Sequence, residues 1–195
     1  KTGMALQRLF LIIAIALLTT TFVTEKFVEA GLSKFLDTNE SIWVLNSTEA
    51  GVHCKVNRYR PRDKVFDLAT NYFNGTQRIN DTFEMRLFNW FADEIEPDAM
   101  RAMKKSGNIT ETKMTEIMMY SDKSGTCAVF TVTKYRKGED PELLVEMRVP
   151  KSFLKNEHPD CTAEFNTTAY EYELKPRIVF FKNCTENEVR EEINE

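Results

Sequence analysis

From residue 41 onward the chain alternates apolar and polar positions in short runs with a period of two. "SIWVLNS", "GVHCKVNRY", "KVFDLATNYF", "DTFEMRLFNWF", "TKMTEIMMY", "TCAVFTVTKY", "LLVEMRV" and "RIVFFKNC" each have the length of a strand. Turn clusters such as "RPRD", "NGTQRIND", "SDKSG" and "KGEDPE" separate them. The pattern predicts eight antiparallel strands. Two segments depart from it. Residues 25–36, "EKFVEAGLSKFL", set Phe27, Val28, Leu32, Phe35 and Leu36 at helical spacing with a soft spot at Gly31, which predicts a short helix lying over the end of another element. A second helix is expected from Asp160 to Tyr170, opened by Pro159 and Asp160 and followed by the last strand.

Eight short strands in one domain close either as a sandwich or as an up-and-down barrel, and a barrel of that size holds one small ligand. The rows within strands favour the barrel. In "DTFEMRLF" one face carries Phe83, Met85 and Leu87, while Thr82, Glu84 and Arg86 point the other way. "CAVFTV" likewise aligns Ala128, Phe130 and Val132. Such rows serve equally as plain core, because core strands and cavity-lining strands share one period. No repeat and no Pro- or Gly-rich linker interrupts the chain, so residues 24–195 are expected to form a single domain.

The first 23 residues read differently. Lys1, Thr2 and Gly3 precede Met4 and are taken as a remnant ahead of the start. Arg8 and the apolar run "LFLIIAIALL" then give way to three threonines, which is the build of a secretory signal peptide. Ten apolar residues are about half of what a bilayer requires. Cleavage is expected between residues 19 and 24, leaving about 170 residues, enough for a substantial core. The product is expected to be secreted and extracellular, with no membrane span. In an oxidising compartment the four cysteines, Cys54, Cys127, Cys161 and Cys184, are expected to pair, and three connectivities are open. Sequons at Asn39, Asn46, Asn74, Asn80, Asn108 and Asn166 are candidate glycosylation sites; at Asn183, Cys184 occupies the middle position.

Charge and motifs narrow the function classes. The 26 Lys and Arg residues, less Lys1 and Arg8 of the leader, leave 24 against 30 acidic residues, a net charge of −6. That balance argues against nucleic acid, and the basic stretch "NRYRPRDK" reads as a hairpin turn. The closing "TENEVREEINE" reads as a polar, frayed end. No G-x-S-x-G, phosphate loop or free Cys/His pair occurs, and His53 and His158 are not spaced as metal ligands. Neither an enzyme nor a cofactor or metal is expected.

The segment "YSDKSGTCAVFTV" resembles a hairpin of the tick salivary lipocalins of the histamine-binding family, in which a Tyr-Ser-Asp turn leads to a cysteine and a strand. "GVHCKVNRY", "PELLVEMRV", "HPDCTAEFNTTAYEY" and "RIVFFKNC" resemble, in order, the family's first-cysteine strand, the next strand, the late helix and the closing segment. The resemblance runs loosely over residues 32–184. It implies a mainly β, eight-stranded antiparallel up-and-down lipocalin barrel, with a short N-terminal helix and a late helix before the last strand. It also implies the pairs Cys54–Cys184 and Cys127–Cys161, so that Cys127 staples a strand's start to the late helix.

Members of that family bind host histamine, serotonin or eicosanoids, and a sterol in the japanin-like branch. An amine site needs buried carboxylates and aromatic faces. Here the residue after the second cysteine, an acid in the histamine binder, is Ala128, and "WVLNSTEAGVHC" offers only Trp43 and Glu49. Glu116 and Glu142 correspond to acids of the family site, with Glu84 a third. Fourteen phenylalanines and eight methionines, Met114, Met118, Met119 and Met147 among them, suit a lipophilic ligand. The candidate ligand-binding residues are Trp43, Phe83, Met85, Leu87, Met114, Glu116, Met118, Ala128, Phe130, Val132 and Glu142. The favoured expectation is a host sterol, fatty acid or eicosanoid, bound to modulate immune or inflammatory defence. The alternatives are a biogenic amine, or a host immune-cell protein for which the cavity is incidental.

Overall fold

The computed structural model describes residues 31–62, 65–91, 96–106 and 109–185. The expected signal peptide, the first part of the predicted N-terminal helix, Asn108 and the acidic tail beyond Thr185 lie outside the described residues. A short helix, α1 (Leu32–Leu36), precedes eight long strands: β1 (Ile42–Ser47), β2 (Val52–Arg62), β3 (Val65–Asn74), β4 (Gln77–Phe88), β5 (Ala99–Ser106), β6 (Ile109–Ser121), β7 (Ala128–Lys134) and β8 (Glu142–Pro150). A helix, α2 (Pro159–Glu171), and a two-residue strand, β9 (Arg177–Ile178), follow. From β2 to β8 each strand pairs with the next, and β1 pairs with both β8 and β2, which closes the sheet into an antiparallel up-and-down barrel.

Seven of the eight strand-like runs fall on barrel strands. The eighth barrel strand is β5, which alternation did not reveal: "AMRAMKKS" is built from Ala, Met and Lys, residues with little preference for pleated structure. The predicted strand "RIVFFKNC" is corrected to a strap on the outside. Only Arg177 and Ile178 pair with β1; beyond them Val179 and Phe180 donate their N–H groups to the Leu45 carbonyl, and Cys54 donates to the Val179 carbonyl.

The alternation in each strand fixes which side chains turn inward. Phe83, Met85 and Leu87 of β4 and Ala128, Phe130 and Val132 of β7 join Ile42, Met100, Met118 and Leu144 in one apolar group. α1 closes that end of the barrel by burying Leu32, Phe35 and Leu36 in the same group, with the Phe35 and Phe130 rings 5.8 Å apart. Val145, Met147 and Val149, on the opposite face of β8, pack with Cys161 and Phe165 of α2. Pro159 and Asp160 occupy the first turn of α2, where a missing N–H costs nothing and a negative charge meets the helix dipole.

The turn before β7 explains the position of Cys127. Asp122 accepts hydrogen bonds from the N–H groups of Thr126 and Cys127 and from the Thr126 hydroxyl, and Gly125 supplies the left-handed residue, φ +69°, that the turn needs. Cys127 is thereby held at the mouth of β7 and bonded to Cys161 in the first turn of α2. The second disulfide joins Cys54 to Cys184 and ties the outer strap to β2. These are the pairs that the family resemblance implies. The bridges span 130 and 34 residues of sequence, so the loop-entropy relation assigns about 5 kcal/mol to Cys54–Cys184 and about 4 kcal/mol to Cys127–Cys161. Urea unfolding of the Cys54→Ser/Cys184→Ser variant is therefore expected to show the larger loss, and Cys127→Ser/Cys161→Ser the smaller.

Candidate functional site

The interior is apolar at the α1 end and charged at its middle. On β8 the outward residues Val145, Met147 and Val149 are committed to α2, so the pleat turns Leu144, Glu146 and Arg148 inward. Arg148 is 1% exposed. Its Nη1 donates to Glu116 Oε2 at 2.5 Å and to the Tyr59 hydroxyl at 3.0 Å, and its Nε and Nη2 donate to Glu146 Oε2 at 2.9 and 2.6 Å. The guanidinium also lies 4.3 Å from the centre of the Phe130 ring. Lys55 of β2 donates to the other Glu146 oxygen at 2.5 Å and stands 3.7 Å from Glu49, which in turn accepts from Lys134. Three carboxylates and three cations thus form one buried chain across the barrel.

That neutrality governs titration. Burial by itself would raise the Glu146 carboxyl, but the Lys55 ammonium and the Arg148 guanidinium outweigh it and bring it from 4.5 to about 2. Burial likewise opposes the charge on Lys55, and Glu146 and Glu49 overcome it, holding this ammonium above its ordinary value. At Lys134 burial prevails together with repulsion from Lys55, and its amine is shifted down.

Above this charged floor, at the end opposite α1, lies a cavity of about 230 Å³. Leu68, Tyr72, Phe83 and Met114 supply its apolar wall, and Lys104, Lys113, Lys134 and Arg136 bring cationic groups to it. Exposed ion pairs surround the rim: Lys113 with Glu111 at 2.5 Å, and Arg136 with Glu142 at 3.0 Å and Glu139 at 3.5 Å. Asn57 and Thr70, opposite one another on β2 and β3, also line the cavity. They are 1% and 4% exposed, yet Asn57 Oδ1 and Thr70 Oγ1 have no hydrogen-bond partner among the described residues.

The candidate ligand residues divide accordingly. Phe83, Met114 and Glu116 line the cavity. Met85, Leu87, Met118, Ala128, Phe130 and Val132 turn inward but pack in the apolar group below the floor and leave the cavity to others. Trp43 is corrected to another location: it packs with Cys54, Val56, Cys184 and Phe180 beneath the strap. Glu142 stands at the lip with Arg136, and Glu84 is outside the barrel with Arg62 and Arg86. Sequence reasoning passed over Lys55, Tyr59, Lys134, Glu146 and Arg148. The signal was present in "ELLVEMRV", where a Glu and an Arg share the parity of an inward Leu. Among the sequon asparagines, Asn39, Asn74, Asn80 and Asn166 are exposed, whereas Asn46 is half-buried inside β1.

No family model matches the chain, and no curated protein matches it in sequence. Solved structures match it in shape. Insecticyanin from the tobacco hornworm Manduca sexta superposes with a TM-score of 0.56 at 10% identity, covering 80% of this chain and 83% of its own. The siderocalin Ex-FABP gives 0.54 at 9% identity, over 75% of this chain and 95% of its own. A bovine odorant-binding protein triple mutant gives 0.51 at 9% identity, over 77% of this chain and 98% of its own. The fold is the lipocalin barrel.

Removing one member of a buried ion network strands its partners without compensation. Arg148→Met, which leaves Glu116 and Glu146 facing each other, is expected to cost about 3–5 kcal/mol in urea unfolding. The depressed Glu146 carboxyl contributes stability that is present above its ordinary 4.5 and lost as pH falls toward about 2. Glu146→Gln should therefore flatten the decline of stability across that acid window, while lowering stability at neutral pH.

Proposed function

We propose that the protein is a secreted carrier that holds one small lipophilic molecule bearing an acidic group. Support comes first from the shape neighbours, which include an odorant-binding protein and a siderocalin described as functioning through dual ligand specificities. The observation that carries the choice of ligand is the state of the charges around the cavity. Glu116, Glu146 and Glu49 already have Arg or Lys partners, so a biogenic amine has no buried carboxylate to take without displacing a cation. Cations contributed by Lys104, Lys113, Lys134 and Arg136 face the cavity instead. Exposed ion pairs are worth little, so Lys113 and Arg136 exchange their carboxylate partners for a ligand's at small cost. The apolar body then meets Leu68, Tyr72, Phe83 and Met114, and the unpaired Thr70 hydroxyl donates to the ligand's carboxylate. Read with the resemblance to salivary lipocalins, this chemistry favours a fatty acid or eicosanoid of the host over a sterol, and sequestration of such a mediator as the means of modulating host defence.

Calorimetric titration with oleic acid and with histamine tests the assignment, with one-to-one binding of the acid and none of the amine as the expected result. Tight histamine binding would overturn it. Thr70→Val separates binding from folding: it removes a buried hydroxyl that lacks a partner, so thermal stability is expected to hold or rise, while oleate affinity falls by about fivefold to tenfold.

A further inference from the structure

β4 and β5 separate along part of their length. Their ladder runs from Phe88 opposite Ala99 to Glu84 opposite Met103 and stops there. β4 extends back to Gln77, paired with β3, and β5 continues to Ser106, paired with β6. The barrel wall is therefore open between the first half of β4 and the end of β5. Lys104 spans the opening, its Nζ 3.3 Å from Asp81 Oδ1 and 5.9 Å from the centre of the Phe83 ring. Both side chains of the ion pair are well exposed, at 50% and 32%, so solvent screens the pair and breaking it costs little.

Outside the opening lies a groove of about 740 Å³, with Ala69, Thr82 and Met103 along it and Arg58, Arg60 and Lys105 at its banks. Leu68, Phe83 and Lys104 line both this groove and the inner cavity. The inner cavity, about 230 Å³, is smaller than the roughly 300–1,000 Å³ in which drug-sized ligands are held. A long acyl chain does not fit inside it while the apolar group below remains packed.

We propose that the opening between β4 and β5 joins the cavity and the groove into one site, and that an acidic lipid longer than the cavity leads its chain out through it. This deepens the acidic-lipid reading above and rests on it. The acid stays with the amino groups of the cavity. Lys104 swings away from Asp81, and the emerging chain lies along Ala69, Thr82 and Met103, covered by the aliphatic stems of Arg58, Arg60 and Lys105, whose charges remain in water.

The test is calorimetric titration with sodium oleate and sodium octanoate of the secreted protein, its glycans trimmed because Asn80 borders the groove. Wild type is compared with Thr82→Trp. Thr82 is exposed and lines the groove but not the cavity, so the indole blocks the outer path only. The expected result is a loss of at least about tenfold in oleate affinity, the effect of uncovering roughly two methylenes, with octanoate binding unchanged. Lys105→Trp, on the opposite bank, gives the same result and stands in if Thr82→Trp does not fold. Unchanged oleate binding in the folded variants, or equal losses for both acids, overturns the lateral extension and leaves the acidic-lipid reading in place. A wild-type protein that binds neither acid removes both.

Discussion

The interior depends on one buried cation. Arg148 is held at once by Glu116 of β6, Glu146 of β8 and Tyr59 of β2, and it rests on the Phe130 ring of β7. An isolated charge at 1% exposure is prohibitively costly. Four strands must therefore hold their registers together for this one to be tolerated. The constraint extends through Glu146 to Lys55, and through Glu49 to Lys134, so that the layer is neutral only when it is complete. Hydrophobic residues of equal volume would fill the same space at comparable or better stability. What the ionic layer adds is a partition: a packed apolar compartment toward α1 and an open one, part apolar and part cationic, toward the other end.

The partition accounts for how a barrel with a cavity remains stable. A hollow lacks the dispersion contacts of a filled core, and here the hollow is confined to one side of the charged floor. The other side is packed with Phe, Met, Leu and Ile and is closed by α1. The wall is reinforced from outside, where α2 buries Phe165 against β7 and β8 and the strap lays Val179 and Phe180 over β1. The disulfides fasten these two outer layers rather than the barrel itself, since the hydrogen-bonded ladder already closes the latter.

Legibility in the sequence followed the same division. Strands whose outer face is polar, such as β4, or whose inner row is apolar up to its last residue, such as β7 before Lys134, announced themselves by alternation. β5 did not, because Arg101 and Lys104 fall on opposite faces and Ala and Met carry no preference for a strand. "RIVFFKNC" misled in the opposite way: its apolar run is covered without joining the barrel, Phe180 against Trp43 on the outer face and Val179 against Val44 and Val52. For the site, period two grouped Phe83 with Met85 and Phe130 with Val132 in rows that face inward, and Glu116 came only from the family resemblance, yet period two carries no information on height along the barrel axis. Height decides whether an inward residue lines the cavity or packs beneath it. That depends on the charged layer, which unites residues from four strands and from the segment after β1.

The height of that layer also sets how a ligand is selected. In its middle the charges are fixed, since Glu146 and Arg148 are buried and each is engaged by more than one partner, and rearranging them would expose uncompensated charge to a low dielectric. At the rim the pairs of Lys113 and Arg136 are exposed, screened and individually weak. A molecule entering the cavity therefore meets a floor that does not change its charge state and a rim that exchanges partners readily. For the acidic lipid proposed above, discrimination by charge would fall to the rim, and discrimination by length to the distance between rim, floor and the opening beside Lys104. A lipocalin barrel of this construction needs no new fold to change its ligand. On the proposed reading, substitutions among the few rim cations would alter the preferred head group, and the ladder between β4 and β5 would set the length of chain that is admitted.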